Sequence, residues 1–174
     1  MSEKWKNNRI IYEGSVFALK TGVVFLDDGS EAIRDIIVHP GGVVVLPILG
    51  EKIVLIKQFR IALGKEIYEL PGGRVKAKDN IEERARLELE EEVGYKANCF
   101  EHMISYFPVP GMTDLQIHIY KAEDLIHCGT DPECDENIDV VTLNIKEVKE
   151  LLDSGSIVDG SAIIALSYYF SMQE

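Results

Sequence analysis

The spacing of apolar and polar positions changes several times along the chain, and each change predicts an element. Between residues 9 and 40, the segments RIIYEG, VFALKTGVVFL and AIRDIIVHP are rich in β-branched and aromatic residues, which predicts short strands. Asp27-Asp28-Gly29-Ser30 is a hairpin turn signal between two of them. Two continuous apolar runs follow, GVVVLPIL (42–49) and KIVLIKQFR (52–60), joined by Gly50-Glu51. Runs without alternation suit strands covered on both faces. YELPGGRV (68–75) predicts a short strand ending in a Pro-Gly-Gly turn.

The period then becomes helical. Residues 80–93 place Ile81, Ala85, Leu89 and Val93 on one stripe, at about 100° per residue. Asn80 or Asp79 can cap the start, Glu82 and Glu83 favour the positive end of the helix dipole, and Gly94 stops the helix. Strands are expected near 97–107 and 115–122, with PVPGMTD (108–114) as the loop between them. The acidic loop 131–137 leads into the strand IDVVTLNI, and the helices 145–155 and 161–171 close the sequence. Strands interleaved with a few helices predict a mixed α/β fold with helices on both faces of a sheet.

Composition narrows the classes. The 174 residues are 46% hydrophobic and 28% charged, a globular mix with enough chain for one substantial core. The net charge of −12 argues against long-range attraction to nucleic acid or an anionic membrane. Three cysteines, Cys99, Cys128 and Cys134, lack metal-site spacing, and an odd count suits a reducing compartment. No apolar run approaches membrane-span or signal-peptide length, so the expected location is the cytoplasm.

One local feature needs an explanation. ARLELEEEVGY (85–95) packs four glutamates into five positions. Glu88, Glu91 and Glu92 share a face beside the apolar stripe, while Glu90 points elsewhere. Unneutralised, Glu88 and Glu92 at i,i+4 repel by a few tenths of a kcal/mol. Hard divalent cations, which prefer carboxylate oxygens, would make the cluster favourable, neutralise a pyrophosphate and activate a water. A solvated acidic helix face is the plainer alternative.

Residues 73–95, GRVKAKDNIEERARLELEEEVGY, resemble the Nudix box, G-x5-E-x7-R-E-U-x-E-E-x-G-U with U aliphatic or aromatic. Gly73, Glu88, Leu89, Glu91, Glu92, Gly94 and Tyr95 match in register. Nearly the whole chain is similar to the ADP-ribose pyrophosphatase-like branch of that family. The resemblance implies a Nudix α/β/α sandwich with a mixed sheet (41–174), preceded by a small β-strand region (1–40) that in relatives mediates dimerisation. It implies hydrolysis of the pyrophosphate bond of ADP-ribose or a related nucleoside diphosphate sugar, with Mg²⁺ or Mn²⁺, by a homodimer.

By the same resemblance, Glu88, Glu91, Glu92 and the carbonyl of Gly72 would hold the metal. Arg60 in KQFR would contact the diphosphate, and Arg34 in AIRD stands where a family arginine reaches the substrate. Glu69 would bind ribose or a metal-associated water, and Pro110, Gly111 and Met112 lie in the loop carrying the branch's proline. In some relatives a loop glutamate orients the attacking water; here Glu136 is the candidate, with Glu133 and Asp135 beside it. His39 reads as structural and His118 as a strand-surface residue, while Trp5 and Tyr12 are candidates for stacking on a base.

Three positions depart from the pattern: Asp79 replaces the first glutamate, Leu87 the arginine, and Leu115 a post-box glutamate. Arg84, four residues before Glu88, is the expected partial substitute for the missing arginine, because helical side chains lean towards the N-terminus. The departures keep a second reading open, a Nudix-like nucleotide-binding or sensing protein with weak or no turnover. A third is a hydrolase for dinucleoside polyphosphates or capped RNA.

Overall fold

The computed structural model describes residues 2–76, 78–130 and 137–173. Among these are ten strands and three helices. They fall into two compact units, residues 1–41 with 107–116, and residues 42–106 with 117–174.

In the first unit, β1 (Lys4–Glu13), β2 (Ala18–Phe25) and β3 (Glu31–Val38) form an antiparallel sheet in chain order. The β2–β3 hairpin keeps an uninterrupted register from Ala18↔Val38 to Phe25↔Glu31, and Gly29 supplies the left-handed turn residue at φ 82°. The segment 107–116 joins this sheet through the Ile37 N–H, which donates to the Met112 carbonyl at 2.9 Å.

The second unit is built on β4 (Gly42–Leu49), β5 (Lys52–Arg60), β6 (Lys65–Glu69), β7 (Gly72–Arg74), β8 (Tyr95–Tyr106), β9 (Ile117–His127) and β10 (Ile138–Asn144). Its strand path is β10-β5-β4-β9-β8, with β6 on β5 and β7 on β4. β4 and β9 run parallel and the other pairs are antiparallel, so the sheet is mixed. The expected strand through 68–75 is in fact two: the Pro-Gly turn ends β6, and Gly72–Arg74 pairs separately with Gly42–Val44.

The two apolar runs are continuous because both faces of β4 and β5 are covered. Val43, Val45, Val54 and Ile56 pack under α1 (Ile81–Val93), against Ala85, Leu89 and Val93. Val44, Leu46, Ile48, Ile53 and Leu55 pack on the other face, against Val148 of α2 (Ile145–Asp153) and Ala162, Ala165, Leu166 and Tyr169 of α3 (Gly160–Ser171). This is the expected α/β/α sandwich. The period-two alternation along each strand sends neighbouring residues to opposite cores.

α1 begins and ends on the residues its sequence suggests. The Asn80 side chain accepts from the N–H groups of Glu82 (3.0 Å) and Glu83 (3.3 Å). Gly94, at φ 73°, closes the helix by donating to the Glu90 carbonyl at 3.1 Å. None of the described helices is long and apolar enough to cross a membrane.

Candidate active site

The glutamate cluster is not a solvated face. Glu88 is 3% exposed and Glu92 4%, at the edge of the core beneath α1, although Glu91 is partly open to solvent. Buried carboxylates are costly without donors, and here the donors are specific. The Gly72 N–H donates to Glu92 Oε2 at 2.7 Å. Arg84 pairs through Nη2 with Glu88 Oε1 and through Nη1 with Glu91 Oε2 at 3.3 Å. Glu90, facing away, pairs with Lys96 at 3.2 Å.

The Gly72-Gly73 segment is pressed against these carboxylates and against β4. A Cβ built on Gly73 would overlap the Glu88 carboxyl group, and one on Gly72 would strike the Val43 carbonyl. Two glycines are therefore what allow β7 to lie between β4 and α1 with its backbone in reach of the cluster. The donor set, carboxylate oxygens and a backbone carbonyl, fits a hard divalent cation. Among the described residues, no three His, Cys, Asp or Glu side chains converge as they stand on a point that could hold a metal ion. Closing Glu88, Glu91 and Glu92 on one cation requires side-chain rotation, for which the partly exposed Glu91 has the most room.

Arg60 ends β5 and Glu69 ends β6. Arg60 Nε and Nη2 donate to the two Glu69 oxygens at 2.6 and 2.5 Å, a bidentate fork. Glu69 is 7% exposed. Its hydrogen bonds raise the Arg60 pKa above the ordinary value, and Asp159 and Glu92 add to the effect through their charge. The fork occupies two of the five guanidinium N–H donors, so Arg60 retains donors for an anion.

Sequence reasoning missed Asp159. It caps α3 by accepting from the Ala162 N–H at 2.8 Å. Burial raises its pKa and the charge of Glu69 raises it further, while Arg60 opposes the shift. Beside it, the Tyr106 hydroxyl and Ser161 Oγ are 2.9 Å apart. The tetrapeptide Asp159-Gly160-Ser161-Ala162 carried the signal, an aspartate cap before an apolar helix.

The remaining candidates fall elsewhere. Arg34 lies in the first unit, where it grips Glu3 through Nε at 2.9 Å and Nη2 at 2.5 Å. Pro110, Gly111 and Met112 form a turn of the same unit and line a hollow with Ile36 and Phe107. Trp5 lies under Lys20, and Tyr12 packs on Phe17, both also in the first unit. His39 Nδ1 accepts from the Gly41 N–H at 3.1 Å, a turn-stabilising role. His118 is half-buried rather than on the surface: its Nδ1 is 2.7 Å from Ser105 Oγ, which is 2.8 Å from His102 Nε2. Burial and the neighbouring His102 lower the His118 pKa. Glu133, Asp135 and Glu136 lie outside the described residues.

The sequence profile of the NUDIX domain matches residues 38–156. The chain belongs to the Nudix family. As a member it is a pyrophosphohydrolase of the Nudix type. It is 35% identical over 171 residues to the methanol dehydrogenase activator of Bacillus methanolicus, covering 95% of this chain and 91% of that one. It is 32% identical over 171 residues to the ADP-ribose pyrophosphatase of Bacillus subtilis strain 168, covering 97% and 92%. A crystal structure of an ADP compounds hydrolase superposes with a TM-score of 0.88 over 99% of this chain and 94% of the other, at 18% identity, a likeness of fold.

Proposed function

We propose that this Nudix protein hydrolyses the pyrophosphate bond of ADP-ribose or a related nucleoside diphosphate sugar, with Mg²⁺ or Mn²⁺, to a nucleoside monophosphate and a sugar phosphate. The observation that carries the reading is the burial of Glu88 and Glu92 against the Gly72-Gly73 segment. A purely structural helix gains nothing from two buried carboxylates whose desolvation must be offset. The name of the Bacillus subtilis relative supports the substrate class.

In this reading Glu88, Glu91, Glu92 and the Gly72 carbonyl hold the cation. Its chemistry is charge neutralisation on the diphosphate and activation of a water. Arg60, fixed in plane by Glu69, offers its remaining donors to a phosphate oxygen. Glu136 is the proposed general base. Arg34, Pro110, Gly111 and Met112 are proposed substrate contacts, in a homodimer acting in the cytoplasm.

The test is a panel of nucleoside diphosphate sugars, dinucleoside polyphosphates and capped RNA, assayed with each metal. Preference for ADP-ribose by kcat/KM supports the proposal; preference for either other class overturns the substrate assignment. The methanol dehydrogenase activator relative favours a second reading, action on a partner enzyme with slow turnover. That reading predicts nucleotide binding with only slow hydrolysis of every panel member.

A further inference from the structure

We infer that Arg84 is the positioning residue of the carboxylate cluster, holding Glu88 and Glu91 so that they present together to a divalent cation. This rests on the metal-dependent reading above.

Arg84 is 18% exposed in its side chain, unusual for an arginine on a short surface helix. It stands one turn before Glu88 and two turns before Glu91, so one guanidinium spans both carboxylates. Its two arms have fixed spacing, and that rigid fork couples the orientation of one carboxylate to the other. Glu92 is held independently by the Gly72 N–H. Glu91 and Glu92 thus each accept a hydrogen bond on one named oxygen, and Glu88 is ion-paired through one of its own. A carboxylate has a second oxygen and further lone pairs, so a donor on one side orients it without exhausting it. Donors of this kind fix ligand geometry at metal sites, and their loss typically weakens metal affinity or activity by about 10–100-fold.

No other basic side chain described on α1 can take the role. Arg86 pairs with Glu82 at 2.8 Å and lies over the Phe100 ring, on a different face. Position 87 carries leucine, 46% exposed, lining the same hollow as Arg84. An arginine placed there would have room, and would reach Glu91 at i,i+4. That makes position 87 a place from which the lost function can be restored.

Charge alone predicts the opposite result. Arg84 is a cation beside carboxylates that would bind a cation. If it were only a competing charge, its removal would tighten metal binding; if it positions the carboxylates, removal loosens it.

The experiment compares wild type, Arg84→Ala, Arg84→Lys and the double variant Arg84→Ala/Leu87→Arg. Mn²⁺ affinity is measured by titration calorimetry without nucleotide, and kcat and KM are measured on ADP-ribose at saturating metal. Thermal unfolding reports the fold. The expected result for Arg84→Ala is Mn²⁺ affinity weakened about tenfold or more and kcat lowered on the same scale, with KM nearly unchanged. The double variant recovers part of both losses. Arg84→Lys, which keeps the charge but not the fork, shows an intermediate loss, and it decides the question if Arg84→Ala does not fold. Tighter Mn²⁺ binding, unchanged binding and kcat in Arg84→Ala or Arg84→Lys, or a loss that Leu87→Arg does not relieve, would overturn the proposal. Wild type that binds no Mn²⁺ would instead remove the metal-dependent reading beneath it.

Discussion

Replacing Gly73 with alanine puts a methyl group where the Glu88 carboxyl group lies. The clash is with the end of a flexible side chain, and Gly73 does not sit at positive φ, so the backbone can stay in place. Glu88 must rotate away and loosen its pair with Arg84. A hydrogen bond to a charged group is worth about 1.5–3 kcal/mol. Alanine returns about 0.4–1 kcal/mol by restricting the unfolded chain. The net cost is therefore about 1–2 kcal/mol, which for a chain of this size lowers Tm by roughly 2–8 °C. Gly72→Ala differs in kind, because its methyl group meets the Val43 carbonyl and lies 3.0 Å from Val44 Cα. These are backbone atoms of the central strand, and relief requires moving β7 off β4 at about 1–3 kcal/mol or more. Thermal unfolding and Mn²⁺ titration calorimetry on both variants separate the cases. Gly73→Ala is expected to lose about tenfold or more in Mn²⁺ affinity with the smaller fall in Tm. Wild-type Mn²⁺ affinity in Gly73→Ala, or a larger Tm loss there than in Gly72→Ala, would refute the placement of Glu88 over the turn.

Three further outcomes follow from the geometry. Asp159 has a raised pKa in the folded protein, so the folded state holds its proton to higher pH than the unfolded chain, and stability falls as pH rises from the ordinary aspartate range through that raised value. Asp159→Asn keeps a capping oxygen, so its urea midpoint relative to wild type should improve across that window and show no gain at lower pH; a pH-independent difference would count against the burial effect. Arg60→Ala leaves Glu69 buried without its fork, at about 1–3 kcal/mol by urea unfolding, and Arg60→Ala/Glu69→Gln should recover part of it. Asn80→Ala removes the oxygen serving Glu82 and Glu83 and should cost about 1 kcal/mol by the same assay.

Local signals made much of the fold legible. The Asn80 cap and Gly94 stop bounded α1, and the unbroken apolar runs marked β4 and β5 as strands covered on both sides. β7 was not legible, because three residues containing two glycines carry no strand signal and pair only because β4 and α1 leave a glycine-sized gap. The helical wheel placed Glu88, Glu91 and Glu92 on one face but could not tell buried from solvated, since burial depends on how β7 meets the helix. The Arg60–Glu69 fork was hidden for a related reason. In the β5–β6 register Arg60 faces Lys65 and Glu69 faces Ile56, so the fork reaches along the hairpin rather than directly across it. Asp159 was overlooked because a capping aspartate looks alike whether its surroundings are water or the Arg60–Glu69 pair.

The most direct test of the account is hydrolysis of ADP-ribose with Mg²⁺ by wild type and by Glu92→Gln, followed by separation of the phosphate-ester products. Wild type is expected to release AMP and ribose 5-phosphate, neither without the metal, and a folded Glu92→Gln protein is expected to show a large loss of kcat. Wild-type turnover in Glu92→Gln, or hydrolysis that persists after metal removal, would contradict it.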